Sequence, residues 1–304
     1  MSLPSLDTLL GAGLPLIVCA RPWAQDLLAA YPLAGFVPMR GSWREDRAAV
    51  RQHLKQSAQG KSLGLLLPDS LSSALVFRFA GIPCAGYRDD GRSLILRWPC
   101  RKPAGPLHAV QSWHYLTRHA LTRWQLPVVD PEPAEELRWQ AAAAHELQAA
   151  QALAQAGLKR DAFVLIAPTA TGLHKGRVKA WSGFDSLTQS LQARGIPVVM
   201  APPATEQQAA QAAAPTAQRL PPLGLGAFAA LTRQARLVIC NDSGVSHLAA
   251  AAHARQITLF GVTDPNRTGP WSNQALRLGH LHAWPSAPEV LDQALEHMNI
   301  PPAA

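Results

Sequence analysis

Residues 237–265 read LVICNDSGVSHLAAAAHARQITLFGVTDP. The apolar run 237–240 has the length and composition of a buried parallel strand. Asp242, Ser243 and Gly244 follow, two helix-capping side chains and a residue small enough for close backbone approach. An Ala-rich stretch over 245–253 predicts a short helix, and 257–260 a second strand. Strand, tight turn, helix and strand leave an open helix N-terminus at the first turn. Its unpaired N–H groups and partial positive charge suit a diphosphate, which points to a nucleotide or nucleotide-sugar site.

Outward from this stretch the same alternation recurs. In the second half, strands are predicted over 163–167 and 197–200, with helices over 181–194, 206–214 and 225–234. In the first half, strands fall at 15–19, 35–38 and 62–67, and helices at 23–31, 45–59 and 70–80. The last of these is capped by Asp69 or Ser70. Alternation of this kind predicts an α/β protein with parallel sheets covered by helices. An acidic, Pro-bearing stretch and an Ala/Gln/Glu helix over 128–158 connect the halves. Two Rossmann-like domains, 1–150 and 151–304, make a GT-B architecture with its active site in the cleft between them, at the carboxyl ends of the strands.

Of the 304 residues 48% are hydrophobic, enough for ample cores, and Pro, Arg or Asp interrupts every apolar stretch before it reaches a membrane span. No secretory signal is visible, and the four cysteines (Cys19, Cys84, Cys100, Cys240) are scattered without metal-ligand spacing. Reduced core thiols in the cytosol are the expectation. The net charge is +8, with arginines grouped at Arg40, Arg44, Arg47 and Arg51 and again at Arg88, Arg92, Arg97 and Arg101 beside Lys102. No nucleic-acid module accompanies them, and aromatics do not interleave as stacking platforms. Either they form a solvated face, or they meet an anionic glycolipid at a membrane surface.

The run D-S-G-x-S-H-L-A-A-A followed by L-F-G-x-T-D-P-x-R-T-G-P resembles the signature of the ADP-heptose:lipopolysaccharide heptosyltransferases, glycosyltransferase family 9. The segment Leu67-Pro68-Asp69-Ser70-Leu71-Ser72-Ser73-Ala74, with Gly81-Ile82-Pro83 and Gly86-Tyr87-Arg88, is similar to the acceptor-domain signature of heptosyltransferase II-like members, with Asp69 in place of the usual Asn. Lys179, Trp181 and Phe184 match the family's donor loop. His108 and Tyr115 resemble a His…Tyr pair that precedes the connector. The resemblance implies an inverting transfer of heptose from ADP-L-glycero-D-manno-heptose to the lipopolysaccharide inner core. The protein would be cytoplasmic and peripheral at the inner membrane. ADP-heptose and the glycolipid acceptor are the implied partners, with no nucleic acid. No metal or other cofactor is expected, since cationic groups and the helix terminus would hold the diphosphate.

The site residues follow from motif and chemistry together. His247, in the first helical turn after Gly244, would donate to a phosphate oxygen as the leaving diphosphate gains charge. Lys179 would clamp the β-phosphate, so His247 and Lys179 are the catalytic candidates. Asp242 would orient the turn and cap the helix, while Ser243 and Gly244 offer backbone N–H groups. Thr169 and Thr171 are candidates for phosphate contacts, with Lys175 and Arg177 as weaker ones on the same loop. Glu206 would accept from the ribose hydroxyls or simply favour a helix N-terminus. Leu223 lies over the adenine or in the core; Thr263, Asp264 and Arg267 form a turn that the resemblance puts near the donor, though Asp264-Pro265 could be only a turn former. On the acceptor side, Ser70 and Ser73 would bind a phosphate or cap a helix, and Arg88 would face the acceptor.

One departure matters. The family opens with a strand and a turn similar to (S/N)-x-(I/V)-G-D, whose Asp is the expected general base. Here Met1–Leu10 read as the following helix, and Asp7 lies inside that helix. Either the assigned start is an internal methionine with further residues upstream, which is the expectation, or the chain is short and transfer lacks its base. Losing a general base costs on the order of 10² to 10⁴ in rate. A missing first strand should also leave an unpaired edge or a gap in the sheet. The other readings are a catalytically impaired nucleotide-sugar-binding pseudoenzyme and a GT-B sugar-nucleotide epimerase.

Overall fold

The computed structural model describes residues 1–56, 61–174 and 176–300. The end of the expected 45–59 helix, beyond Gln56, lies outside them, as does Lys175. Two compact units, Ser2–Ala134 and Glu135–Ala304 with Met1 grouped with the latter, divide ahead of the connector helix rather than at residue 150.

The first unit holds α1 (Leu3–Gly11), β1 (Ile17–Ala20), α2 (Trp23–Leu27), β2 (Gly35–Pro38), α3 (Trp43–Gln56), β3 (Gly64–Leu66), α4 (Leu71–Ala80), β4 (Cys84–Tyr87), β5 (Trp98–Cys100) and α5 (Ala109–Arg123). All its strand pairings are parallel, but they form two sheets, β1-β2 and β3-β4-β5, instead of one. Val37, Val50, Leu66, Ala74, Val76, Ile82 and Cys84 share one apolar core beneath α3 and α4. The expected helix at 23–31 stops at Leu27, and Tyr31 is buried beyond it. His108 begins α5 as its N-cap: Nδ1 accepts from the Val110 N–H and the Gln111 side chain accepts from the His108 N–H.

α1 packs on α5, and the buried Thr8–His114 contact fixes a tautomer. The single hydroxyl hydrogen of Thr8 goes to the Pro4 carbonyl at 2.8 Å. Thr8 Oγ1 can therefore only accept from His114 Nε2, 3.3 Å away, so the proton sits on Nε2.

The second unit begins with α6 (Ala143–Gln155), which buries Ala149, Ala152 and Leu153 and packs on a later helix of the same unit. That contact is why the division falls before α6. Then come β6 (Val164–Ala167), β7 (Leu173–His174), β8 (Arg177–Val178), α7 (Phe184–Gln192), β9 (Val198–Met200), α8 (Gln207–Ala213), β10 (Gln218–Arg219), α9 (Leu225–Gln234), β11 (Leu237–Asn241), α10 (Gly244–Ala251), β12 (Gln256–Leu259), α11 (Pro265–Thr268), β13 (Ala275–Leu278) and α12 (Ala287–His297). Six strands make one parallel sheet in the order β10-β9-β6-β11-β12-β13. In chain order that is 3-2-1-4-5-6, the doubly wound arrangement, and its reversal point lies between β6 and β11. Val164, Ile166, Leu237, Ile239, Ile257 and Leu259 fill the core with Phe184 and Leu187 of α7 and Val290 of α12.

Asn241, fully buried at the end of β11, ties this reversal point together. Its Oδ1 accepts from the Trp181 N–H at 2.9 Å, and its Nδ2 donates to the Pro168 carbonyl at 3.1 Å. Asn241→Ala leaves both backbone groups without their partner. Urea denaturation should show a loss of about 2 kcal/mol or more, and an unchanged midpoint would mean the brace contributes nothing.

Burial holds the His114 pKa below its ordinary 6.5, and Arg118 adds to the shift against the opposing pull of Glu132 and Asp130. Burial and Arg123 lower His119 in the same direction. The unfolded chain therefore takes up protons more readily than the folded one. This contribution to stability is complete above the unfolded value and is lost as pH falls through the folded values. Denaturant midpoints measured downward from pH 7 should fall below about pH 6.5, and His114→Gln should flatten that slope.

Candidate functional site

At the carboxyl ends of β6 and β11 the second unit holds a cavity of about 330 Å³. Its walls are the 168–180 segment, the start of α10 and the turn after β12. Of the expected residues it gathers Thr171, Lys179, Asp242, Ser243, Gly244, His247 and Thr263. Met1, Ala170, His174 and Thr268 also line it and were not anticipated.

Lys179 is placed by its neighbour. Trp181 is buried, donates from its indole N–H to the Pro285 carbonyl at 2.9 Å, and meets Phe184 edge-on with centroids 5.2 Å apart. Its own backbone N–H is held by Asn241. A Cβ at Gly183 would overlap the Trp181 ring, so this residue is confined to glycine. These constraints delay α7 to Phe184, three residues after the expected start, and leave Lys179 pointing into the cavity. Before it, β7 and β8 form a small antiparallel hairpin where a plain loop was expected. Arg177 on β8 reaches His282 Nδ1 at 2.7 Å, and because a guanidinium only donates, that nitrogen accepts.

Asp242 does not cap α10, the part of its expected role that the structure corrects. The N-cap of α10 is Ser243, whose Oγ accepts from the Val245 N–H at 3.3 Å. The buried Asp242 carboxylate faces across the turn instead. Oδ2 accepts from Thr263 Oγ1 at 2.6 Å, lies 3.4 Å from Lys179 Nζ, and is 3.5 Å from Thr268 Oγ1. Asp242 thus ties the 168–180 segment to the turn after β12 and sets its own charge against Lys179. Gly244 is exposed, and a Cβ built on it meets nothing within 4 Å. The first turn of this eight-residue helix is therefore open to an approaching ligand, with the half-buried His247 one turn further on.

Four expected donor residues lie outside the cavity lining. Thr169 Oγ1 donates to Glu206 Oε2, so these two meet each other at the start of α8. Leu223 is half-buried in the segment before α9. Asp264 caps α11, accepting from the Asn266 N–H at 3.0 Å.

On the acceptor side of the motif reading, in the first unit, Ser70 is the N-cap of α4 and accepts from the Ser73 N–H, while the Ser73 hydroxyl donates to the Ser70 carbonyl at 2.8 Å. Asp69 does not cap. Its carboxylate lies 3.2 Å from the fully buried Arg92 and 2.7 Å from Lys102, which also pairs with Asp89 at 2.9 Å. Lys102 stands 5.2 Å over the Tyr87 ring, and burial pushes the Tyr87 hydroxyl up to about 12. Arg88 is exposed at the end of β4.

In chemical terms the cavity offers open N–H groups at a helix terminus, one imidazole, one ammonium shared with a carboxylate, and threonine hydroxyls. That set suits a phosphate-bearing anion more than a hydrophobic ligand.

Comparison with known proteins gives the same direction. The sequence model of glycosyltransferase family 9 (heptosyltransferase) matches residues 47–298. The chain is 30% identical over 156 residues to lipopolysaccharide heptosyltransferase 3 of Escherichia coli (strain K12), a match covering 47% of this chain and 44% of that protein. It thus spans less than half the length of that curated relative. Among solved structures it is similar to E. coli ADP-heptose lps heptosyltransferase II, with a TM-score of 0.71 and 23% identity over 97% of this chain and 94% of that one. An E. coli heptosyltransferase with ADP gives 0.73 and 22% over 97% and 95%. These likenesses show the GT-B α/β fold, and with the family model spanning most of its length, the chain belongs to glycosyltransferase family 9, the heptosyltransferases.

Proposed function

We propose that this protein is an inverting glycosyltransferase that takes heptose from ADP-L-glycero-D-manno-heptose and passes it to the lipopolysaccharide inner core at the cytoplasmic face of the inner membrane. The observation that carries this reading is the convergence of the open α10 N-terminus, His247 and Lys179 on one cavity at the strand-order reversal. The names of the E. coli relatives support the donor and the acceptor.

The diphosphate lies against the Gly244 end of α10, where backbone N–H groups and the helix dipole meet its charge. An acceptor hydroxyl attacks the anomeric carbon as the bond to the β-phosphate oxygen breaks; the hydroxyl proton passes to a base and ADP departs. Charge builds on the β-phosphate through this step. His247 donates to it, and Lys179 divides its charge between the phosphate and Asp242, so both interactions strengthen toward the transition state. Asp242 holds Lys179 and the threonine turn in position. In this reading no metal takes part.

Titration calorimetry with ADP and ADP-heptose, with UDP-N-acetylglucosamine as competitor, tests the donor. Selective binding of the adenine compounds is expected, and preference for the UDP-sugar would overturn the substrate assignment. His247→Ala should weaken ADP binding about tenfold or more, the worth of one charge-assisted hydrogen bond. Unchanged affinity would remove His247 from the phosphate site.

The Lys179–Asp242 pair makes a sharper prediction. Lys179→Met leaves a buried carboxylate without its cation beside the diphosphate. Adding Asp242→Asn to Lys179→Met should therefore recover part of the lost affinity. Additive losses in the double variant would show that the pair does not govern donor binding.

A further inference from the structure

Two neighbouring helices of the first unit present side chains that neither the core nor the cavity uses. α4 places Leu71, Leu75 and Phe79 four residues apart, on one stripe of the helix. Ala74 and Val76 beside this stripe are buried, and Phe77 on the far side packs against the same core. Leu71 is 44% exposed and Phe79 54%, with Leu75 half-buried between them. On α3, which packs beside α4, Trp43, Arg47 and Arg51 follow the same spacing. The exposed Trp43 ring, at the start of α3, lies 6.4 Å from Phe79 near the end of α4. The cationic row on α3 and the apolar row on α4 therefore meet on one surface at the Trp43–Phe79 contact.

The charges on this face are left open. Arg47, Arg51 and Arg78 have no ion-pair partner among the described residues. Arg44 stands 5.6 Å over the Trp43 ring. Of the two acids on α3, Asp46 is turned inward, accepting from the Arg40 N–H at 2.7 Å and the Gly41 N–H at 3.0 Å, which leaves Glu45 at the surface.

We infer that this α3/α4 face docks on an anionic lipid bilayer. Trp43, Phe79, Leu71 and Leu75 enter the headgroup boundary, and Arg44, Arg47, Arg51 and Arg78 lie against lipid phosphates. Aromatic and leucine side chains beside unpaired arginines are the composition of an interfacial helix face. A second copy of the chain fits less well, because a symmetric contact would bring two unneutralised arginine rows together. The inference rests on the proposed function in one respect: the Ser70 end of α4, which matches the family's acceptor motif, lies at the end of this stripe, where a lipid-anchored acceptor would be met.

Co-sedimentation of the full chain with vesicles tests it, using phosphatidylcholine alone and phosphatidylcholine mixed with phosphatidylglycerol. The parent chain should bind the mixed vesicles and not the neutral ones. Two double variants, Trp43→Ser with Phe79→Ser and Arg47→Gln with Arg51→Gln, should each lower that binding at least about tenfold. Far-ultraviolet circular dichroism and a parent-like urea midpoint check that both variants fold, and ADP binding, a property of the second unit, should stay unchanged in both.

Failure of the parent to bind mixed vesicles overturns the inference, as does parent-like binding by either folded variant. A dimer that dissociates in the variants without any vesicle binding also overturns it. Loss of ADP binding by the parent with vesicle binding intact would instead count against the proposed function and leave the docking face standing.

Discussion

β6 and β11 are hydrogen-bonded neighbours that belong to opposite halves of a doubly wound sheet. The chain leaves β6 toward the Trp181 segment and leaves β11 toward α10, so their carboxyl ends part and a crevice opens between them. Asn241 stands at that parting and holds the two exits together through the Trp181 N–H and the Pro168 carbonyl. Lys179 reaches the cavity because Trp181 is anchored, and Asp242 faces Lys179 because it follows Asn241. The threonines after β12 reach Asp242 because β12 pairs in register with β11. Geometry around one buried amide thus sets the chemistry of the whole cavity.

Each unit also pins a carboxylate beside a helix start. In the second unit Asp242 is held by Lys179, Thr263 and Thr268; in the first, Asp69 is held by Arg92 and Lys102. In both cases a serine one residue later makes the cap, Ser243 for α10 and Ser70 for α4. The carboxylate is thereby free to set the angle of the turn through longer-range partners, while the hydroxyl satisfies the helix N–H groups. At the buried Asp242 the Lys179 ammonium also offsets the repulsion that a carboxylate would exert on an anion at the adjacent helix terminus.

This division of labour marks the limit of what the sequence reveals. The strand–turn–helix–strand over 237–260 is legible because apolar runs of the right length are bounded by capping residues. The structure moves its element ends by no more than two residues. Asp242 and Ser243 are equally competent caps when read locally, and partners twenty and more residues away decide between them. Thr268 and His174 enter the cavity by the same non-local route, which no spacing rule detects. The hairpin β7–β8 has two residues per strand, below any periodicity, and the start of α7 is delayed by Trp181 packing. Parallel pairing in the first unit follows from its βα alternation, but the separation into two sheets does not, since every strand there is a plausible neighbour of every other.

The two small sheets of the first unit also bear on how evenly the molecule holds together. Three and two short strands share few main-chain bonds, whereas six strands in the second unit bury a continuous apolar layer. Opening free energies should follow that difference, with amide protons of β1 and β2 exchanging through local fluctuations that leave β6, β11 and β12 closed. The unit that holds the cavity is the stiffer one, and under the proposed function the less tightly bonded unit is the one that would fit itself to a large acceptor.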